Sequence, residues 1–152
     1  MDVVDASTRS VMMSGIRGKN TRPEILLRKY LHARGFRFRL HVKDLPGSPD
    51  IVLPRYRLCI FVHGCFWHRH LNCPYAATPK SNTVFWLQKF TANTIRDEKV
   101  EYMLSQAGWR VFQIWECGLK GMDETTLEWL PPIIRGTTTS LSWPDYPNER
   151  VV

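Results

Sequence analysis

The sequence lacks an apolar run long enough to cross a bilayer. A transmembrane helix needs about 18 or more consecutive apolar residues, and no such run occurs in the 152 residues. The first residues, MDVVDA, also lack the basic start and the apolar core of a signal peptide. We therefore expect a cytoplasmic protein that has no membrane partner.

Cysteines are few, and the sequence contains no internal repeat and no linker between domains. The cytoplasm keeps thiols reduced, so the four cysteines indicate metal binding or core packing before disulfides. The length suits one domain. We predict a basic N-terminal arm over residues 1–20, the folded domain over 21–136 and an extended C-terminal tail over 137–152.

Acidic residues are absent between positions 6 and 23, where four basic residues occur. Over the whole chain, 21 Lys and Arg face 14 Asp and Glu, which gives a formal net charge of +7. This excess of positive charge favours a polyanionic partner such as nucleic acid.

Local patterns predict an α/β fold. Thr21 and Glu24 have the spacing of a capping box, with Pro23 in the first turn. The predicted elements are a helix from Thr21 to Gly35, strands over 36–41, 50–53 and 57–62, a long helix over 82–107, a strand over 109–115 and a short helix over 124–130. We expect Pro131 and Pro132 to end the last helix, and the residues after 136 to extend over the surface. This order predicts a central mixed sheet flanked by helices, with a hairpin joining the second and third strands.

Metal-ligand residues are concentrated in the segment 63–73, VHGCFWHRHLNC with its preceding valine. Cys65, His70 and Cys73 can supply three zinc ligands. Cys117, directly after a core strand, is the natural fourth, whereas Cys59 lies mid-strand and suits a core thiol. Two alternatives stay open: buried thiols with solvated histidines, and a catalytic zinc that has an open position.

A carboxylate begins the second strand, at Asp50. The third strand ends at Val62 and His63, and adjacent strand ends can bring Asp50 close to the donor-rich segment. Mg²⁺ prefers hard oxygen ligands of this kind. The alternative is that Asp50 is only a turn residue.

Several motifs together resemble one known family, the very-short-patch (Vsr-type) mismatch-repair endonucleases. The motifs are HGCFWH (63–68) after PGSPD (46–50), FWLQK (85–89), Asn93, Arg96-Asp97, GWRV (108–111) and WEC (115–117). The resemblance runs from about Thr8 to about Leu119. It implies a fold similar to that of type II restriction enzymes. It also implies Mg²⁺-dependent hydrolysis of the phosphodiester 5′ to the thymine of a T:G mismatch, which arises when 5-methylcytosine deaminates.

The resemblance also implies roles for individual residues. Asp50 and the backbone carbonyl of Val62 would bind Mg²⁺, and His68 would activate the attacking water with support from His63 and Glu24. The zinc ligands would be Cys65, His70, Cys73 and Cys117. The strand over 57–62 lacks the second acid and the lysine of restriction-type sites, and the two histidines are suited to replace them. Zinc ligation or solvation remains an alternative for His63 and His68, and capping alone for Glu24.

Two kinds of DNA contact are expected, the first implied by the same resemblance and the second by the positions of polar and basic residues on the long helix. Phe66, Trp67 and, on the arm, Met13 would wedge between base pairs, although the two aromatic residues could instead pack in the core. Lys89, Asn93 and Arg96 of the long helix would contact phosphates, with a solvated basic face as the alternative. Asn93 and Asp97 interrupt the apolar stripe of that helix, so we also expect them to form a buried polar network with Arg96.

Three functions fit these residues. The first is a nicking enzyme that acts on double-stranded DNA with a T:G mismatch. The second is a related restriction- or homing-type endonuclease that cuts a matched sequence, and the third is a non-catalytic zinc-containing DNA-binding module. We expect a monomer associated with the bacterial nucleoid that makes transient contacts with other repair proteins.

Overall fold

The computed structural model describes residues 20–146. The expected N-terminal arm, apart from Asn20, and Met13 within it lie outside these residues. The elements are α1 (Arg22–Ala33), β1 (Arg39–Leu40), β2 (Ile51–Leu53), a 3-10 turn (Pro54–Tyr56), β3 (Leu58–His63), α2 (Cys65–His68), α3 (Thr83–Gln106), β4 (Arg110–Trp115), α4 (Glu116–Leu119), α5 (Leu130–Arg135) and β5 (Ser140–Trp143). Within this range no helix is both long and apolar enough to cross a membrane.

The strands form one mixed sheet in the order β1-β2-β3-β4-β5. Strands β1, β2 and β3 pair antiparallel, whereas β3, β4 and β5 pair parallel. The pairing of Ile51 with Ile60 and of Leu53 with Leu58 confirms the predicted hairpin. The long helix α3 connects the parallel strands β3 and β4, so the predicted mixed sheet with flanking helices is also confirmed.

Alternate residues of the central strands face two different layers, as the two-residue period of a strand requires. On one face, Ile60 and Phe112 join the main core with Leu27 of α1 and Ile134 of α5. On the other face, the buried Cys59 packs with its strand neighbours and with residues of α3. The interpretation of Cys59 as a core thiol is therefore confirmed.

The predicted capping box begins α1. Thr21 Oγ1 accepts a hydrogen bond from the Glu24 amide at 3.4 Å, and Glu24 Oε2 accepts one from the Thr21 amide at 3.3 Å. Helix α3 differs from its predicted bounds by one residue at each end. It stops before Gly108, whose φ of +86° suits glycine.

Three predictions about elements were wrong. The helix predicted over 124–130 is instead α5, with Pro131 and Pro132 in its first turn. Proline is tolerated there because the first amides of a helix have no partner within the helix. The strand predicted over 36–41 is only Arg39–Leu40. The segment expected to extend over the surface after 136 contains β5, which pairs with β4, and its residues 147–152 lie outside the described residues.

Candidate active site and metal centre

A cavity of about 710 Å³ opens beside the start of β2 and the end of β3. It is lined by each of the residues expected to be catalytic, by both proposed wedge aromatics and by the three polar residues expected to contact phosphates: Glu24, Asp50, His63, His68, Phe66, Trp67, Lys89, Asn93 and Arg96. Among the residues expected to be catalytic or to contact DNA, only Met13 lies outside the described residues.

Asp50 lies immediately before β2, beside the end of β3. Its Oδ2 accepts a hydrogen bond from the Val62 amide at 2.8 Å. Burial raises the pKa of Asp50 to about 6, and the nearby charge of Glu24 adds to the rise while the Val62 amide opposes it. A cation beside this carboxylate would stabilise its ionised form.

Glu24 faces the same cavity from the start of α1, and only 2% of it is exposed. Its Oε2 accepts from the amides of Asn20 and Thr21, and its Oε1 contacts Arg28 and the His41 ring. Burial alone would raise the pKa of Glu24, but Arg28 and His41 more than offset this, and the pKa is lowered. An ionised Glu24 therefore caps the helix and lines the cavity at the same time.

Two stacked histidines and an aspartate also line the cavity. The rings of His63 and His68 lie 4.0 Å apart, centroid to centroid, and His68 Nδ1 lies 2.6 Å from Asp97 Oδ2. Because a carboxylate only accepts, His68 must donate through Nδ1, which leaves Nε2 of a neutral ring as the basic nitrogen. Burial and the neighbouring His68 lower the pKa of His63 well below its usual value, so His63 is neutral.

A second cluster joins the loop after β3 to the start of α4. The ligand atoms of Cys65, His70, Cys73 and Cys117 all lie within 4.8 Å of one another, and these residues could hold a metal ion. Burial raises the pKa of the Cys65 and Cys117 thiols because it disfavours the charged thiolate. A bound cation would stabilise the thiolates and oppose this effect. His63 and His68 belong to a separate group with Asp97.

Comparison with known proteins identifies the family. The model of the family described as DNA mismatch endonuclease Vsr matches residues 1–74. A Type II nicking enzyme, V.XorIIP, from Xanthomonas oryzae is 49% identical over 121 residues, which is 80% of this chain and 88% of the relative. The DNA mismatch endonuclease Vsr of Escherichia coli is 43% identical over 127 residues, which is 84% of this chain and 81% of the relative. The chain belongs to the Vsr family of DNA endonucleases.

One expectation about this Vsr-family site was wrong. Asn93 and Asp97 do not form a buried network with Arg96, which is exposed. Asp97 instead contacts His68, and Asn93 Nδ2 donates to the Trp67 carbonyl at 3.1 Å. The signal was present in the sequence, because two polar residues inside an apolar stripe indicate a polar partner on the facing element. That partner is α2.

The Vsr-family chain carries its two proposed wedge aromatics on α2. The Phe66 ring packs edge-on against Trp67, Phe90 and Trp86, at centroid distances of 5.0, 5.2 and 5.5 Å. Phe90 is buried, whereas Phe66 and Trp67 are half-buried and line the cavity. The aromatic pair is thus anchored on α3 and still reaches the cavity.

Sequence reasoning missed His41 as well as Asp97. His41 contacts Glu24, and its ring nitrogen, the Glu24 carboxylate and the Asp50 carboxylate all lie within 4.8 Å of one another. A single histidine outside any motif gave no signal of this contact, because it depends on how β1 and α1 pack.

Proposed function

We propose that this protein nicks one strand of duplex DNA on the 5′ side of the thymine in a T:G mismatch, with Mg²⁺ as its catalytic cofactor. The observation that carries the proposal is the cavity, where Asp50 and Glu24 face the stacked His63 and His68. This combination suits phosphodiester hydrolysis, in which charge on the phosphate must be neutralised and a water molecule must lose a proton.

The donor set around Asp50 fits Mg²⁺. Asp50 is a hard oxygen ligand in a partly buried position, and one of its oxygens already accepts from Val62. We assign the ion to the Asp50 carboxylate and the backbone carbonyl of Val62. When bound, Mg²⁺ supplies the positive charge that offsets the charge developing on the phosphate.

In this mechanism His68 is the general base. Its Nε2 takes the proton of the attacking water, while Asp97 holds the ring through Nδ1 and stabilises the imidazolium that forms. His63 stacks against His68 as a neutral ring, which adds no opposing charge. Glu24, ionised at the start of α1, lines the same cavity.

The second cluster suits a structural zinc ion. Three thiolates and one imidazole are a complete tetrahedral set, which leaves no position for water or substrate. This donor count favours a structural site over a catalytic zinc. We therefore assign Zn²⁺ to Cys65, His70, Cys73 and Cys117.

Mismatch selectivity would come from the aromatic pair. Side chains inserted between base pairs unstack them, and a mismatched pair costs less to open than a matched one. Phe66 and Trp67 are the proposed wedge, with Met13 from the N-terminal arm. Lys89 and Arg96 would hold phosphates, and Asn93 would contact DNA while holding α2 in place.

The names of the relatives support the single-strand cut and the mismatch. The Xanthomonas protein is named a nicking enzyme, and the Escherichia coli protein a mismatch endonuclease. Cutting of matched DNA by a related restriction- or homing-type activity is the competing outcome. A monomeric state, a cytoplasmic, nucleoid-associated location and transient contacts with other repair proteins remain predictions.

The test uses end-labelled duplexes that carry T:G, T:A or C:G at one position, in several flanking sequences, with Mg²⁺. We expect one nick, 5′ to the thymine, in the T:G duplex only. Equal cutting of the matched duplexes would reject mismatch specificity, and no cutting in any context would favour a DNA-binding module without catalysis.

Replacing the proposed metal ligand separates cleavage from binding. Asp50→Ala should lower the cleavage rate at least about 100-fold while DNA binding survives. The matched control is Asp44→Ala, because Asp44 is exposed on the preceding loop. Cleavage by Asp50→Ala at the rate of the Asp44→Ala control would mean that the metal site has been misplaced.

A further inference from the structure

His41 connects the Glu24 carboxylate with the backbone of Asp50. Its backbone amide donates to the Asp50 carbonyl at 3.1 Å, and its Nε2 contacts Glu24 Oε1. The side chain is only 13% exposed. One residue thereby ties the start of β2 to the start of α1.

The backbone of His41 is held in an uncommon conformation. Its φ of +48° lies in the left-handed region, which is costly for a residue with a Cβ. Such conformations persist where the surroundings determine them, and they concentrate at functional sites. Here the hydrogen bond from the His41 amide to the Asp50 carbonyl and the ring contact with Glu24 hold the backbone in this conformation.

The imidazole restricts where the Glu24 carboxylate can lie. Oε2 of Glu24 is fixed by the amides of Asn20 and Thr21. Oε1 is fixed by His41 and by Arg28, whose Nη2 is 3.0 Å away. Arg28 Nη2 also donates to Asn20 Oδ1 at 2.7 Å. Without His41, the position of Glu24 Oε1 would depend on this one shared guanidinium.

We propose that His41 is a positioning residue for DNA cleavage, which holds the Glu24 carboxylate beside Asp50. The proposal rests on the proposed function, because it assigns Glu24 to the reaction. It differs from a metal-ligand role for His41, which the mutual distances also allow. Direct contact of Nε2 with Glu24, and the Arg28 charge already on the same oxygen, favour positioning over ligation.

The test compares His41→Ala with His41→Gln, whose side-chain amide can still donate to Glu24. The control is His32→Ala, which removes an exposed histidine of α1. Single-turnover cleavage is measured on the duplex that the wild-type protein cuts fastest, so an error in the assigned substrate does not affect the comparison. We expect His41→Ala to lower the rate about 10- to 100-fold with DNA affinity within about twofold of wild type. His41→Gln should recover most of the rate.

Two further measurements distinguish this proposal from the proposed function and from a metal-ligand role for His41. The NMR signals of the Asn20 and Thr21 amides, which donate to Glu24, should shift in His41→Ala, return in His41→Gln and stay unchanged in His32→Ala. Unshifted amides in His41→Ala would overturn the proposal even if no duplex is cut. Equal loss of rate in both His41 variants, or loss of Mn²⁺ binding in His41→Ala that His41→Gln does not restore, would also overturn it.

Discussion

The hydrogen bond between His68 and Asp97 resembles the base-and-carboxylate pairs that fix an imidazole for proton transfer. The carboxylate sets which nitrogen carries the proton, and it stabilises the charged ring that forms. Asp97 holds the His68 ring from α3. In the proposed mechanism it would contribute to the rate of the chemical step and not to the binding of DNA.

Asp97→Asn tests that role with little change in shape. The amide has no charge to stabilise the imidazolium and can present its NH₂ group to His68, so we expect the cleavage rate to fall about 100-fold. DNA affinity and melting temperature should stay near those of wild type. Glu98→Gln is the control, because Glu98 is the exposed neighbour on the same helix. Equal rates for the two variants would remove Asp97 from the mechanism.

Asp50 should reduce the stability of the protein at neutral pH when no Mg²⁺ is added. Its pKa rises from 3.8 to about 6 on folding, so between these values the folded state binds the proton more tightly than the unfolded state does. Stability from this group therefore falls as pH rises from about 4 to about 6, and the cost persists above that range. It amounts to about 3 kcal/mol at most.

Asp50→Asn should remove that cost, because its amide oxygen can still accept from Val62. We expect the zinc-loaded variant to unfold at a higher temperature than wild type at pH 7.5 and to lose this advantage near pH 4. Added Mg²⁺ should stabilise wild type but not the variant. A lower melting temperature for Asp50→Asn at pH 7.5 would contradict the assigned direction.

At the scale of elements, β5 and the short helix α4 are packed without space between them. A Cβ added at Gly118 would lie 2.5 Å from the Trp143 ring and 2.7 Å from Pro144 Cδ. The Pro144 carbonyl accepts a hydrogen bond from His70 Nε2 at 2.6 Å. Displacement of this segment would therefore reach the proposed zinc site.

Gly118→Ala should destabilise the protein by about 1–3 kcal/mol, the usual cost of overpacking. Zinc should also be released faster to a chelator, because His70 loses its orienting partner. Thermal unfolding and a colorimetric zinc-release assay measure the two effects. An unchanged melting temperature would show that β5 can move aside at no cost.

The elements that the sequence predicted well are those with local signals. The capping box of α1, the hairpin of β2 and β3 and the long stripe of α3 each depend on neighbours a few residues apart. β5 had no such signal, because its pairing with β4 joins residues about 30 positions apart. The prolines of α5 were misleading, since proline both ends helices and occupies their first turn.

The candidate site also contains residues that local sequence signals predicted and residues that they did not. Dense donors and motifs marked Asp50, His68 and the four expected zinc ligands. The structure brings Asp50 and His68 to one cavity and the four expected ligands to a separate cluster. His41 and Asp97 acquire their contacts from packing between elements, over 17 and 29 positions of sequence. Asp97 was visible in the sequence as a polar residue within an apolar stripe, whereas no sequence pattern marked His41.

At the scale of the whole molecule, the proposed zinc site joins the ends of two parallel strands beside the cavity. Three of its ligands follow β3, and Cys117 follows β4. Between Cys65 and His70 lies the rest of α2, which carries Phe66, Trp67 and His68. Fixing both ends of this segment should hold the base and the wedge in position, so zinc would support catalysis without touching the substrate.

Cys117→Ser should remove the proposed zinc link between the ends of β3 and β4. We expect loss of about one zinc per molecule by elemental analysis and a loss of at least about 2 kcal/mol of stability, roughly 5 °C in melting temperature. The cleavage rate should fall as well, since α2 would lose an anchor on β4. Cys59→Ala is the matched control, because Cys59 is buried in the core and lies outside the donor cluster; it should keep its zinc. Unchanged zinc content in Cys117→Ser would reject Cys117 as a ligand, and full activity after zinc loss would separate the metal from the positioning of α2.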